Sequence, residues 1–331
     1  MRGNIDDKKT NRTKHTNQYS KKEIIRNRII AASILAIFFI SILKLISPLF
    51  KNNNISLTSS PNEDALHTND EVSTETTVAP KDTDIIPNNN ITYGGEKFAI
   101  AADDVERIVK GQNIDYKKYI FLTFDDGPSP NTEKILDILK EKDVKATFFV
   151  LGSTLETNDK SKEILKRCIT EGNAIANHTY SHNPKKLYPH QRVDYNLYLN
   201  EFNKTNDLLK GILGSDFDSR VTRMPEGRCS RVYYKDSNLP AFEEMLKNNN
   251  IIDIDWNSLN SDADGKNYSV EGLLENSKRD SKGLNQIVFL MHDAAAKSKT
   301  VEMLPALIDY FKSNGYEFKT IKSAASNTNN Q

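Results

Sequence analysis

The sequence has little cysteine and no net charge, and each shortage narrows what the chain does. Two cysteines in 331 residues, Cys168 and Cys229, cannot build a disulfide framework; they form one bridge at most, and two free thiols are equally allowed. Forty-five basic residues balance forty-five acidic ones, yet the first 28 residues hold nine Lys or Arg against three Asp or Glu. The remainder is therefore net −6, which argues against a nucleic-acid-binding body, because phosphate neutralisation needs basic residues clustered on a folded surface. No internal repeat is evident, and with 37% hydrophobic residues part of the chain can bury a core.

Charge is almost missing from residues 29–50, IIAASILAIFFISILKLISPLF, where Lys44 is the lone exception. At about 1.5 Å per residue these 22 residues reach about 33 Å, the thickness of a hydrocarbon core. The run is longer than the apolar stretch of an ordinary signal peptide, and no small-x-small cleavage signature follows it closely. It is therefore read as a single uncleaved transmembrane anchor, with the basic tail 1–28 cytoplasmic and the rest of the chain outside. Residues 51–93 are crowded with Asn, Ser, Thr, Asp and Pro and show no periodicity, which predicts a flexible polar linker.

From residue 119 onward, short β-rich runs alternate with longer helical patterns, the signature of an α/β fold built on a mainly parallel sheet or barrel. Strands are predicted at 119–124, 146–151, 174–176, 251–256, 287–291 and 316–321, and helices at 132–142, 161–171, 193–213 and 301–313. The main folded domain is placed at 119–325, with 94–118 as a lead-in that carries an amphipathic stretch. In such folds reactive side chains gather at the carboxyl ends of strands.

Four segments at those positions carry chemistry. TFDDGP delivers the adjacent carboxylates Asp125 and Asp126 at a strand end, although Asp-Gly-Pro taken alone is commonly a plain turn. HTYSH sets His178 and His182 four residues apart, close enough for a helical turn or a compact loop to aim both at one ion, or to leave two surface histidines. It is not a zincin motif, since Thr179 stands where that motif has Glu. RMPEG offers Arg223 as a carboxylate partner beside a loop, Pro225-Glu226-Gly227, that exposes its backbone; an isolated ion pair next to a turn reads the same way. LMHD ends a buried strand with Leu290 and His292, and a lone histidine there is usually a core residue.

In this order, TFDDGP, HTYSH, RMPEG, DWNSLNSD and LMHD resemble the polysaccharide deacetylases of carbohydrate esterase family 4, the NodB-homology domain, over about 119–321. The resemblance, which extends to membrane-anchored peptidoglycan N-acetylglucosamine deacetylases, implies a distorted (β/α) barrel that removes N-acetyl groups from amino sugars with a divalent metal. It assigns the metal to Asp126, His178 and His182, the general base to Asp125 and the general acid to His292. Arg223 then tunes Asp125, Asp262 orients His292, and the backbone N–H of Glu226 faces the oxyanion. Pro225, Gly227, Trp256 and Leu290 complete the substrate-binding set, although Trp256 is as readily a packing residue. A ligand set of two His and one Asp suits Zn²⁺, while Co²⁺, Ni²⁺ and Mn²⁺ also accept mixed nitrogen and oxygen donors.

Two departures from the family pattern concern the substrate. Glu226 stands where many members have an aromatic residue, and Ala263 follows Asp262 where Trp is frequent. An anchored extracellular deacetylase on a polar tether points to peptidoglycan as the glycan partner, with chitooligosaccharide or another N-acetylglucosamine polymer as the alternative. A glycan-binding module without turnover is the alternative of a different class, but such modules tend to lose a base, acid or ligand, and this chain keeps all five. Phosphate-ester hydrolysis would want more carboxylates or a basic clamp than the sequence offers.

Overall fold

The computed structural model describes residues 79–324; the predicted tail, the anchor at 29–50 and most of the linker lie outside the described residues. Among the described residues no helix is long and apolar enough to cross a membrane. The strands are β1 (Ala99–Ala101), β2 (Tyr119–Gly127), β3 (Thr147–Val150), β4 (Ala174–Asn177), β5 (Val221–Thr222), β6 (Ile252–Asp253), β7 (Ser258–Leu259), β8 (Gln286–His292), β9 (Glu317–Phe318) and β10 (Thr320–Lys322). The α-helices are α1 (Ala102–Val109), α2 (Pro130–Glu141), α3 (Gly152–Thr157), α4 (Asp159–Thr170), α5 (Pro184–Leu187), α6 (Tyr195–Leu213), α7 (Gly227–Tyr233), α8 (Leu239–Asn248), α9 (Val270–Asp280) and α10 (Ser298–Ser313).

The main sheet runs β6-β5-β4-β3-β2-β8-β7, with β9 also on β2, and every pair in it is parallel. No ladder joins β6 to β7 among the described residues, so the barrel curls but stays open. This is the distorted (β/α) barrel anticipated above.

Strand β2 shows why this sequence takes that architecture. Ile120, Leu122 and Phe124 join one core with Phe289 and Met291 of β8, Leu136 of α2 and Leu307 of α10. Tyr119 and Phe121 lie in a second core with Val288, Phe149, Ala176 and the α1 residues Val105 and Ile108. A strand apolar on both faces suits a sheet covered on both sides. Each fully buried side chain of this size contributes about 1.5–3 kcal/mol, so both faces hold β2 in register. The period of two places Thr123 and Asp125 on the same inward series as Tyr119 and Phe121.

The helices are capped as their sequences suggest. Ser129 and Thr132 form a capping box at the start of α2, Asn158 caps α4, and the Asp194 carboxylate accepts from the Leu197 N–H to open α6 two residues later than predicted.

Three segments depart from the sequence-based expectation. The predicted strand 251–256 is cut to β6 because the carbonyls of Ile254 and Asp255 accept hydrogen bonds from the Arg223 guanidinium, at 2.7 and 3.2 Å. The predicted strand 316–321 divides into β9 on β2 and β10 on β1. Residues 85–92, which the composition assigned to linker, take part in the fold: Ile85 bridges to Thr92, and the buried Asn90 amide donates to Ile175 O and Ile321 O, both at 3.0 Å.

Candidate active site

The carboxyl ends of β2, β4, β5, β6 and β8 open into one groove of about 400 Å³. Asp125, Asp126, His178, His182, Asp262 and His292 all line it. Strict alternation would send Asp125 and Asp126 to opposite faces of β2. The register between β2 and β3 shifts at this point, pairing Asp125 with Phe149 and then Gly127 with Val150, and Asp126 takes φ +78°. The bulge turns the second carboxylate toward the same groove as the first.

Asp125 is buried and bonds Arg223 Nη1 through Oδ1 at 2.8 Å. The guanidinium also donates to Thr123 Oγ1 at 2.9 Å and lies 4.1 Å from the Phe149 ring centre, so its charge is compensated and its plane fixed. Burial raises the Asp125 pKa above the usual carboxylate value, and the charges of Arg223 and His292 only partly oppose it. A more basic carboxylate with a fixed orientation is suited to proton abstraction.

HTYSH is a compact loop, with Thr179 and His182 at positive φ. Glu201 of α6 braces it by accepting from the Ser181 N–H and hydroxyl, at 2.9 and 2.7 Å. His178 Nδ1 donates to the Arg223 carbonyl at 2.8 Å, which leaves Nε2 to face Asp126 Oδ1 at 3.6 Å. His182 Nε2 stands 3.4 Å from the same oxygen. Burial and the neighbouring His182 push His178 down to about 3, so it is a neutral imidazole with a free lone pair.

These three residues fit a divalent cation. One potential ligand atom from each lies within 4.8 Å of the others. Asp126 Oδ1 is buried and, among the described residues, has no hydrogen-bond partner, an arrangement that is unfavourable unless a cation compensates it. Two imidazoles and a carboxylate form the donor set of an open catalytic site.

His292 faces the groove from the end of β8. Its Nδ1 donates to Asp262 Oδ1 at 2.7 Å and its backbone N–H to Asp262 Oδ2 at 3.0 Å, while Thr300 Oγ1 donates to Oδ2 at 2.7 Å. Burial alone would lower the His292 pKa, but the Asp262 bond and charge, with Asp125 and Asp126 adding to them, lift it to about 9. It is therefore an imidazolium at neutral pH. Asp262 is also buried, yet its bonds to His292 hold its pKa below the usual value.

The remaining residues singled out by sequence divide between groove and support. Glu226, Gly227, Trp256 and Leu290 line the groove, whereas Pro225 is buried behind it, its carbonyl accepting from Tyr188 Oη at 2.8 Å. Glu226 has φ +65°, and no backbone acceptor among the described residues takes its N–H. Gly227 has φ +73°, and a Cβ there would meet Trp256 Cη2 at 2.5 Å.

Sequence reasoning missed the residues that hold this loop in place. Asp253 Oδ1 accepts from the Met224 N–H at 3.0 Å, and Asp255 accepts from the Arg228 and Cys229 N–H groups, each at 2.8 Å. Their spacing of two within the predicted strand 251–256 was the available signal. Asp293 was also missed: buried beneath Gly127 and bonded by Thr132 Oγ1 at 2.5 Å, its carboxyl is pushed up to about 7 by burial. Cys168 is buried and Cys229 exposed, both as free thiols.

A family profile described as polysaccharide deacetylase matches residues 112–241. The chain is 31% identical over 216 residues to a peptidoglycan-N-acetylglucosamine deacetylase of Bacillus cereus, a match covering 61% of this chain and 69% of that protein. It is 30% identical over 211 residues to a bifunctional xylanase/deacetylase of Pseudobutyrivibrio xylanivorans, spanning 64% of this chain but 31% of that longer relative. Among solved structures, a CE4 esterase of Streptococcus mutans aligns with a TM-score of 0.66 at 34% identity, over 73% of this chain and 99% of the other. With the open parallel barrel and the site at its strand ends, these likenesses establish that the chain belongs to the polysaccharide deacetylase family, carbohydrate esterase family 4.

Proposed function

We propose that this protein removes the N-acetyl group from N-acetylglucosamine residues of a cell-wall glycan, peptidoglycan foremost, and releases acetate. The observation that carries the reading is the convergence of two differently tuned pairs, Asp125–Arg223 and His292–Asp262, on the groove that holds Asp126, His178 and His182. A divalent ion held by those three residues, Zn²⁺ by the donor chemistry, supplies Lewis-acid polarisation of the amide carbonyl and a more acidic water.

The chain's own groups do the rest. Asp125, fixed by Arg223, accepts a proton from the attacking water. The Glu226 N–H, held by the loop that Asp253 and Asp255 brace, faces the oxygen on which negative charge develops. His292 protonates the leaving nitrogen as the C–N bond breaks, and acetate and a glucosamine-type amine remain.

The charge-poor run at 29–50, preceded by nine basic residues, supports single-pass membrane anchoring with the catalytic domain facing the wall. The peptidoglycan substrate is supported by the named activity of the Bacillus cereus relative. Mass spectrometry of muropeptides from a deletion strain tests it: fewer free glucosamine residues than in the parent are expected. Unchanged acetylation would move the substrate to another N-acetylglucosamine polymer.

A further inference from the structure

The largest group of exposed apolar side chains in the described fold is Val232, Tyr233 and Tyr234, at the end of α7 and its cap. Tyr233 is 80% exposed and Tyr234 49%, their rings 5.2 Å apart and nearly perpendicular. Nothing in the acetyl-transfer chemistry uses them. Contiguous exposed apolar surface is a feature of contact sites, and this group sits next to the loop that borders the groove.

The patch is tied to the groove through one residue. Arg231 is almost wholly buried, and its Nη2 donates to Glu226 Oε2 at 2.9 Å. Its Cζ lies 4.0 Å from the Tyr188 ring centre and 5.1 Å from that of Tyr234. One fixed guanidinium thus touches both the groove-lining carboxylate and the solvent-facing tyrosine. The Glu226 side chain remains 45% exposed and lines the groove with the catalytic pairs. The tyrosines lie beyond the residues that line the groove, so the carboxylate and the aromatic faces together suit a stretch of glycan longer than one ring: hydroxyl and amine hydrogens are donated to the oxygens, and the C–H face of a ring lies on the π system.

We propose that Glu226, Tyr233 and Tyr234 form a subsite for a sugar ring flanking the one that reacts, with Arg231 as its positioning residue. The proposal rests on the reading of the protein as an enzyme of polymeric glycans. Glu226 accepts hydrogen bonds from a hydroxyl or free amine of the flanking sugar, and the tyrosines stack on the next stretch of the chain. A preformed carboxylate–guanidinium pair costs little to order on binding, so its hydrogen bonds add to affinity for longer glycans.

Chitotetraose and chitobiose, titrated by calorimetry into the full-length chain carrying Asp125→Asn so that ligand is not consumed, test the subsite. Tighter binding of tetraose than biose is expected, with Tyr233→Ala, Tyr234→Ala and Glu226→Gln each weakening tetraose binding roughly five- to tenfold and reducing the tetraose preference. Gln at 226 retains an oxygen that accepts from Arg231, and a circular dichroism melt distinguishes lost binding from lost fold. Equal binding of the two sugars, or tetraose binding unmoved in all three folded variants, overturns the subsite. Acetate release from tetraose and from peptidoglycan is followed in parallel with Asp125 intact: tetraose bound through these residues with no acetate from either glycan leaves the glycan subsite standing and defeats the deacetylase reading.

Discussion

Asp125 and His292 face the same groove in opposite states because their surroundings differ. Burial makes Asp125 a stronger base, whereas the Asp262 carboxylate keeps His292 protonated up to about pH 9. Asp125→Asn is expected to lower kcat for acetate release by about 10²–10⁴-fold with the fold intact, read by release kinetics and circular dichroism. His292 acts while it holds its proton, so activity should persist at neutral pH and fall as pH rises through about 9. In Asp262→Asn the main bond and charge that raise the His292 pKa are gone; the alkaline limb of the kcat profile should move to lower pH, and an unmoved limb would exclude His292 as the acid. Arg223→Ala leaves Asp125 as an unpaired buried charge and frees the carbonyls of Ile254 and Asp255, and a loss of about 3–5 kcal/mol in urea unfolding is expected.

At the scale of elements, the site depends on strands that end irregularly. The bulge at Asp126 and the truncation of β6 place side chains where regular strands would not. Gly227 is the position where this is most sensitive: Gly227→Ala forces a Cβ into the Trp256 ring at φ +73°, and a loss of about 1–3 kcal/mol with weaker catalysis is expected from a thermal melt and release assay. Strands β2, β4 and β8 were legible because apolar runs ended in reactive residues, β3 because its run is apolar and bounded, and α4, α6 and α10 because their apolar period was strong. Strand β5 was not, since two residues carry no period. Helices α8 and α9 lie between motifs, and α9 is polar enough that its buried Leu273 and Ser277 leave a weak stripe. The fate of residues 251–256 was unreadable because it depends on a guanidinium that arrives from 31 residues before Ile254. Likewise, the polar stretch around Asn90 reads as linker until its amide is seen to close bonds to Ile175 and Ile321.

For the whole molecule, the open barrel brings strand ends from distant parts of the chain to one rim, and most of the site was readable because each of its motifs sits at such an end. The supports were not: Asp253, Asp255 and Glu201 act on loops that lie at least 20 residues away in sequence. Metal should couple to the stability of the entire domain, since a ligand that binds only the folded state stabilises it by mass action. Removing metal with chelator is therefore expected to lower Tm, and Zn²⁺ to restore it, with the response lost in His178→Ala. The measurement that bears most directly on the account is acetate release by the purified full-length chain from peptidoglycan and from chitopentaose, with chelator and then with added Zn²⁺. Acetate from peptidoglycan that vanishes with chelator, returns with metal and is lost in Asp125→Asn is the predicted result. Bound metal with no acetate from either glycan would contradict it and leave a binding module.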